Sequence, residues 1–104
     1  MIMQPDIVLE VRLRTTAEGG RQTVLEGERY GCPLLVDGDA FDCRLLLAGR
    51  KFELGRTYEV PIKFLTRDLV LPRLYVGKSV QLWEGKIIGD GVVVGILPYG
   101  SEHG

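Results

Sequence analysis

The sequence contains few of the residue types on which catalytic and metal sites depend. It has one histidine, His103, and two cysteines, Cys32 and Cys43, among 104 residues. A Ser-His-Asp or Cys-His arrangement needs a histidine that a third group holds in place. A zinc site needs several converging ligands. Because one histidine near the end of the chain supplies neither, we expect no metal, no cofactor and no enzymatic activity.

Long hydrophobic runs are also absent. Segments such as Leu45-Leu46-Leu47-Ala48 fall far short of the roughly 20 residues of a membrane-spanning helix. The opening segment, residues 1–6, lacks the basic and apolar regions of a secretory signal. Two cysteines are too few for a disulfide scaffold, and a pairing of the two at the surface receives little weight. We therefore expect a cytoplasmic, soluble protein with reduced thiols.

Charge of one sign is not in excess either. The chain has 13 Lys and Arg against 14 Asp and Glu, a formal net charge of -1. Tight non-specific RNA binding rests on many phosphate contacts, so we expect no bulk attraction to nucleic acid or to membranes. A local basic strip of Arg12, Arg14 and Arg21 at one hairpin is compatible with this charge. Alternating Arg and Leu is, however, also typical of a strand with one solvated face.

The pattern that is present alternates with a period of two and predicts strands separated by turns. The first strand covers Ile7 to Leu13, and Gln22 to Leu25 is predicted to return as the second. The glycine and proline within Gly27–Pro33 predict a bend or bulge. Asp37-Gly38-Asp39 is a predicted turn. Further strand candidates are Leu34–Val36, Cys43–Leu47, Tyr58–Phe64 and Val80–Leu82.

Two later features refine this prediction. Pro61 cannot donate a ladder hydrogen bond, so we place its strand at an edge or at a bulge. The run from Trp83 to Val94 indicates strand, tight turn and strand, with glycines where φ is positive or two backbones approach closely. Its glycines do not match the spacing of a phosphate loop, so no nucleotide site is expected. Together the elements predict an all-β fold, a closed antiparallel β-barrel of about six strands. We expect one domain over residues 1–104, with loose tails at 1–5 and 99–104.

Four motifs follow one another in a recognisable order between Ile7 and about Leu97. They are Val8-Leu9-Glu10-Val11 with Glu18-Gly19-Gly20-Arg21 and Thr23, then Gly27-Glu28-Arg29, then Leu54-Gly55, and finally Glu84-Gly85 with Gly89-Asp90-Gly91-Val92-Val93. In this order the chain resembles the C-terminal β-barrel, the third domain, of elongation factor Tu and related translational GTPases.

The resemblance implies a binding surface. In that family the domain packs on a second barrel and a GTPase domain, and it contacts the T-stem backbone of aminoacyl-tRNA and elongation factor Ts. Carried over residue by residue, the resemblance assigns binding to Arg21, Gln22, Arg29, Glu84 and Gly85. An arginine can pair with phosphate, and a glycine lets a backbone come close.

Trp83 stands where the family has an arginine, and it has two interpretations. Exposed, its ring is a stacking platform for a base or a partner's side chain. Alternatively it caps the barrel end with its indole N–H on a loop carbonyl, which is the more common outcome.

Two functions therefore remain open. The resemblance implies a non-enzymatic binding module that contacts tRNA or a translation factor. The alternative is a protein–protein interaction module, of inhibitor or immunity type or self-associating, because a fold does not fix a function. Tyr58–Leu65 and Trp83 are then the candidate contacts.

Overall fold

The alternating pattern produces eight strands in the computed structural model, which describes residues 4–98. Successive side chains of a strand point to opposite faces, so every second residue faces the interior. The strands are β1 (Ile7–Leu13), β2 (Leu25–Glu26), β3 (Arg29–Val36), β4 (Asp39–Leu46), β5 (Lys51–Phe52), β6 (Thr57–Phe64), β7 (Ser79–Trp83) and β8 (Ile87–Ile96).

Six of these strands close into an antiparallel barrel. Their order is β1-β6-β4-β3-β7-β8, and β8 pairs back onto β1. The predicted all-β fold with a closed barrel of about six strands is therefore confirmed. The short strands β2 and β5 form a separate two-stranded sheet.

Helical structure within residues 4–98 is confined to short pieces. Two 3₁₀ turns cover Thr16–Glu18 and Leu71–Arg73, and the one-turn helix α1 covers Arg67–Val70. No helix in this part of the chain has the length and apolar character to cross a membrane.

The inward side chains of all six barrel strands form one hydrophobic core. Full burial of a large aliphatic or aromatic side chain stabilises a fold by about 1.5–3 kcal/mol. The largest fully buried side chains are Phe52, Phe64, Ile7, Leu9, Leu13, Leu25, Leu34, Leu45, Leu47, Ile62, Leu82 and Ile88.

The turn predicted at Asp37-Gly38-Asp39 has the geometry that a tight hairpin requires. Asp37 and Gly38 have φ of 51° and 85° and join β3 directly to β4. Two residues with positive φ match the right-handed twist of the flanking strands, and Asp-Gly is a preferred pair for this turn.

The bend predicted over Gly27–Pro33 is confirmed at Gly27 and Glu28 and is wrong beyond them, because β3 runs without interruption from Arg29. Its proline is tolerated because β3 pairs with β7 only at Leu34 and Leu35, so the missing amide lies beyond that ladder. Its glycine is explained by a neighbour on β4. A Cβ at Gly31 would lie 2.9 Å from Nη1 of Arg44.

The strand predicted over Gln22–Leu25 is also wrong in extent. Only Leu25 of that segment belongs to a strand, the two-residue β2. The edge position predicted for Pro61 is wrong too, because β6 lies between β1 and β4. Pairing with β4 covers Ile62 to Phe64 and stops before the proline, so no ladder bond to β4 is lost there.

The late hairpin follows the predicted pattern of glycines. Gly85 has φ of 73° in the turn between β7 and β8. Gly89 lies where β8 passes close to β1, and a Cβ there would be 3.2 Å from the Arg12 carbonyl oxygen. Most of the predicted tails, residues 1–3 and 99–104 with His103, lie outside the described residues.

Candidate functional site

Strand directions give the barrel two ends with different surfaces. The loop end carries residues 14–24, 27–28, 47–50, 53–56 and 84–86, and the terminal end carries residues 4–6, 37–38, 65–78 and 97–98. All residues predicted to bind by resemblance, and Trp83 with them, lie at the loop end. They are Arg21, Gln22, Arg29, Glu84 and Gly85.

The structure brings Arg21 and Glu84 into contact across 63 positions of sequence. Nη1 of Arg21 donates to Oε2 of Glu84 at 2.7 Å and to the Tyr30 hydroxyl at 3.0 Å. The guanidinium also lies 5.2 Å from the centre of the Tyr30 ring. The two charged side chains are only 17% and 26% exposed. The charge of Arg21 is therefore already balanced inside the fold.

The Glu-Gly-Gly-Arg loop is built to place this arginine. Thr15 caps the first 3₁₀ turn, and Glu18 returns a bond to the Thr15 amide in a capping box. Gly19 adopts φ of 87°. A Cβ on Gly20 would lie 2.2 Å from the Arg14 carbonyl oxygen, so only glycine fits. The Thr16 hydroxyl in turn donates a hydrogen bond to the Arg21 carbonyl oxygen at 2.8 Å, which fixes the backbone of this arginine.

The other predicted binding residues present themselves differently. Gln22, Arg29 and Gly85 are exposed at the loop end. Trp83 is the last residue of β7 and is 39% exposed, so part of its ring is open to a partner. The loop end thus combines one internal ion pair with three exposed polar or backbone positions and a half-exposed indole.

The basic strip predicted around Arg12 and Arg14 is neutralised residue by residue. Arg12 forms two bonds with Glu18 at 3.1 and 3.2 Å, and Arg14 forms two with Asp90, both at 2.9 Å. The pKa of Glu18 is lowered to about 2 by the Thr15 amide and by Arg12. Arg14 lowers the pKa of Asp90 through its hydrogen bonds and its charge. This face is therefore a solvated surface of paired charges.

A second cluster of ion pairs holds the β3–β4 turn. Nζ of Lys78 lies 2.7 Å from Oδ1 of Asp37, and Nη1 of Arg73 lies 2.9 Å from Oδ2 of Asp39. The Lys78 ammonium lowers the pKa of Asp37. Within residues 4–98, no group of three or more His, Cys, Asp or Glu side chains is placed to hold a metal ion. The acidic turn is thus occupied by cations of the chain itself.

The terminal end has an apolar surface that the sequence patterns did not single out. Four of the exposed large hydrophobic side chains lie there, two more lie near it on β8, and the exposed fractions of the six range from 39% to 66%. Of the predicted contact strand Tyr58–Leu65, only its last residue is among them. The Gly77 amide donates to the Val93 carbonyl at 2.8 Å, which holds the segment after α1 against the end of β8. The six residues are Leu65, Leu69, Tyr75, Val76, Val94 and Ile96.

Comparison with known proteins assigns no family to this barrel. No protein-family model matches the chain, and no curated protein matches it.

Proposed function

We propose that this chain is a non-enzymatic binding module that docks a protein partner through the terminal end of its barrel. The observation that supports this proposal is the concentration of large exposed apolar side chains at one end. A cluster of that kind is a feature of protein interaction sites, whereas singly scattered exposed apolar residues are ordinary. Among residues 4–98, Trp83 is the single exposed large hydrophobic side chain at the opposite end.

The test compares variants at the two ends in capture experiments from cell lysate with ribonuclease present. We expect a partner protein to be retained by the natural chain and lost with the double variant Leu65→Asp and Leu69→Asp. The matched control, Gln22→Asp with Arg29→Asp, alters exposed residues at the loop end and keeps the partner. Equal retention by both double variants would contradict docking at the terminal end.

Light scattering after size exclusion separates a foreign partner from a second copy of the chain. A dimer that dissociates in the Leu65 and Leu69 double variant supports self-association through the same end. A monomer supports docking of a different protein.

The second candidate is the contact with tRNA or a translation factor that the motif order implies. It is favoured by one observation: the residues assigned by resemblance gather at the loop end, with Gln22, Arg29 and Gly85 exposed. If tRNA binds there, Arg29→Ala weakens binding at low salt and reduces the salt slope by about one. Arg56→Ala, which removes an exposed arginine outside the assigned set, leaves the slope less changed. Absence of tRNA retention at low salt would rule out the contact with tRNA.

A further inference from the structure

The two cysteines face each other across the β3–β4 hairpin. Cys32 and Cys43 are direct partners in the strand register, and both side chains point into the barrel. Both are free thiols, and Sγ of Cys43 lies 3.2 Å from the Cys32 carbonyl oxygen. The fold thus brings side by side two thiols that are eleven positions apart in the sequence.

The register allows a bond between them, under some strain. Val36 and Asp39 close the two-residue turn, and hydrogen-bonded and non-hydrogen-bonded pairs alternate from there. In this alternation Cys32 and Cys43 form a hydrogen-bonded pair. The Cα atoms of such a pair are about 5.5 Å apart. A disulfide is compatible with Cα atoms roughly 4.4 to 6.8 Å apart. It also needs the two Cβ atoms to be as close as those of the most closely spaced cross-strand pairs. A bond that pulls the strands together in this way is readily reduced.

The surroundings distinguish the two thiols. The Cys43 thiol lowers the pKa of Cys32, with the charges of Arg21 and Arg44 and the Trp83 amide acting in the same direction against burial. The pKa of Cys43 is raised, chiefly by its hydrogen bond to Cys32 and by burial. Cys32 is 6% exposed, whereas Cys43 is completely buried. Cys32 is therefore the attacking thiol of the pair.

The fold also provides a route of access to this thiol. β3 pairs with β7 at only two positions, Leu34 and Leu35, and Cys32 lies on the stretch of β3 beyond them. Local opening is easiest where few backbone bonds must break. Separation of β3 from β7 beyond Leu34 would expose the Cys32 sulfur to an oxidant.

We propose that Cys32 and Cys43 are a redox-active dithiol that closes reversibly into a cross-strand disulfide, with a low-molecular-weight disulfide such as oxidised glutathione as the oxidant. The Cys32 thiolate attacks one glutathione sulfur, the glutathione S–S bond breaks, and one glutathione thiolate leaves. The Cys43 thiolate then attacks the Cys32 sulfur and expels the second glutathione. Two electrons and two protons pass from the protein to one glutathione disulfide, which becomes two thiols.

The second step follows from the first. Once Cys32 carries glutathione, its sulfur no longer forms the same hydrogen bond with the Cys43 thiol. The main cause of the raised pKa of Cys43 is then removed. Disulfide formation also reorients the Cys32 sulfur, which accepts a hydrogen bond from the Trp83 amide. The fluorescence of Trp83, the single tryptophan of the chain, therefore reports disulfide formation.

The test incubates the full folded chain with excess oxidised glutathione and follows intact mass, thiol content and tryptophan emission. We expect loss of two hydrogens, no retained glutathione, a monomeric product, a changed Trp83 emission and full reversal by dithiothreitol. Two thiols that persist in the folded chain yet oxidise in urea would overturn the proposal. A stable glutathione adduct on the natural chain, or a disulfide between two chains, would overturn it as well.

Single variants assign the roles. Cys43→Ser stops at one glutathione adduct on Cys32, and Cys32→Ser reacts several-fold more slowly than Cys43→Ser. Equal or faster reaction of Cys32→Ser would overturn the assignment of the attacking thiol. The double variant shows no emission change with oxidant. If a serine variant fails to fold, the mass and emission of the natural chain still decide whether the disulfide forms.

Discussion

At the scale of single residues, the loop end shows how a fold can use a side chain that resembles a ligand-binding residue. Arg21 and Glu84 were each assigned a binding role by resemblance, and the structure pairs them with each other. A separation of 63 positions hides such a pair from sequence patterns. Arg21 thereby links the first loop to the late hairpin, next to the stretch of β3 that lies beyond its ladder with β7.

Substituting this arginine is therefore expected to act on stability. Arg21→Gln removes charge-assisted bonds to a largely shielded carboxylate, and we expect a loss of about 1.5–2 kcal/mol in the free energy of unfolding. Arg12→Gln breaks a pair whose side chains are 41% and 46% exposed, and the expected loss is at most about 1 kcal/mol. Urea denaturation of both variants checks the order, and a larger loss for Arg12→Gln would contradict it.

The adjacent glycines of the first loop allow a second comparison. Gly20→Ala forces a methyl group against the Arg14 carbonyl, and we expect a loss of about 2–3 kcal/mol. Gly19→Ala meets no atom within 4 Å and carries only the strain of its φ of 87°, a loss of about 1 kcal/mol. Thermal unfolding measures both. If the two variants are equally stable, the loop backbone does not approach Arg14 as described.

At the scale of elements, alternation predicted most of the barrel because a period of two survives wherever one face is buried. It failed at β3, where a glycine and a proline looked like interruptions. Gly31 leaves space for the Arg44 guanidinium of the neighbouring strand, and Pro33 lies beyond the ladder to β7. Both explanations depend on which strands lie beside β3 and on the register between them, so the alternation within β3 does not contain them.

The junction of β1, β6 and α1 is an element contact that the sequence analysis missed. Asp6 is 1% exposed. Its Oδ2 accepts from the Phe64 amide at 2.8 Å, and its Oδ1 accepts from Nε of Arg67 at 3.0 Å. A buried carboxylate in this position ties the start of the first strand to the end of the sixth.

Removing that carboxylate is expected to loosen the junction. Asp6→Ala leaves the buried Phe64 amide without its acceptor and breaks the ion pairs, with an expected loss of about 3 kcal/mol. Asp6→Asn keeps an acceptor for the amide and is expected to lose less. Hydrogen exchange of the Phe64 amide should rise strongly in the alanine variant and little in the asparagine variant. Unchanged exchange in Asp6→Ala would contradict this role.

At the scale of the whole molecule, paired surface charges make stability depend on pH. The pKa of Glu18 lies near 2 in the fold, below its ordinary value of 4.5, and those of Asp37 and Asp90 are lowered too. A lowered pKa adds stability that is fully present above the ordinary pKa and is lost as pH falls towards the folded value. The barrel is therefore expected to weaken between about pH 4.5 and pH 2.

Melting temperatures across that range, at low and at high salt, check the expectation. The temperature should fall steadily below about pH 4.5, and high salt should reduce the size of the fall because these pairs are exposed. Glu18→Gln should show a shallower fall than the natural chain. A melting temperature that rises on acidification would contradict the expected direction of this pH dependence.

The pairing of Ile7 with Ile96 has a practical consequence for handling the molecule. Because the first and last barrel strands are neighbours, residues 4 and 98 both lie at the terminal end, which carries the apolar surface proposed for docking. A tag inserted next to either residue is expected to shield that surface from its partner and mimic a failure to bind. An affinity label inserted at the Ala48-Gly49 turn, on the opposite side of the barrel, leaves that surface open.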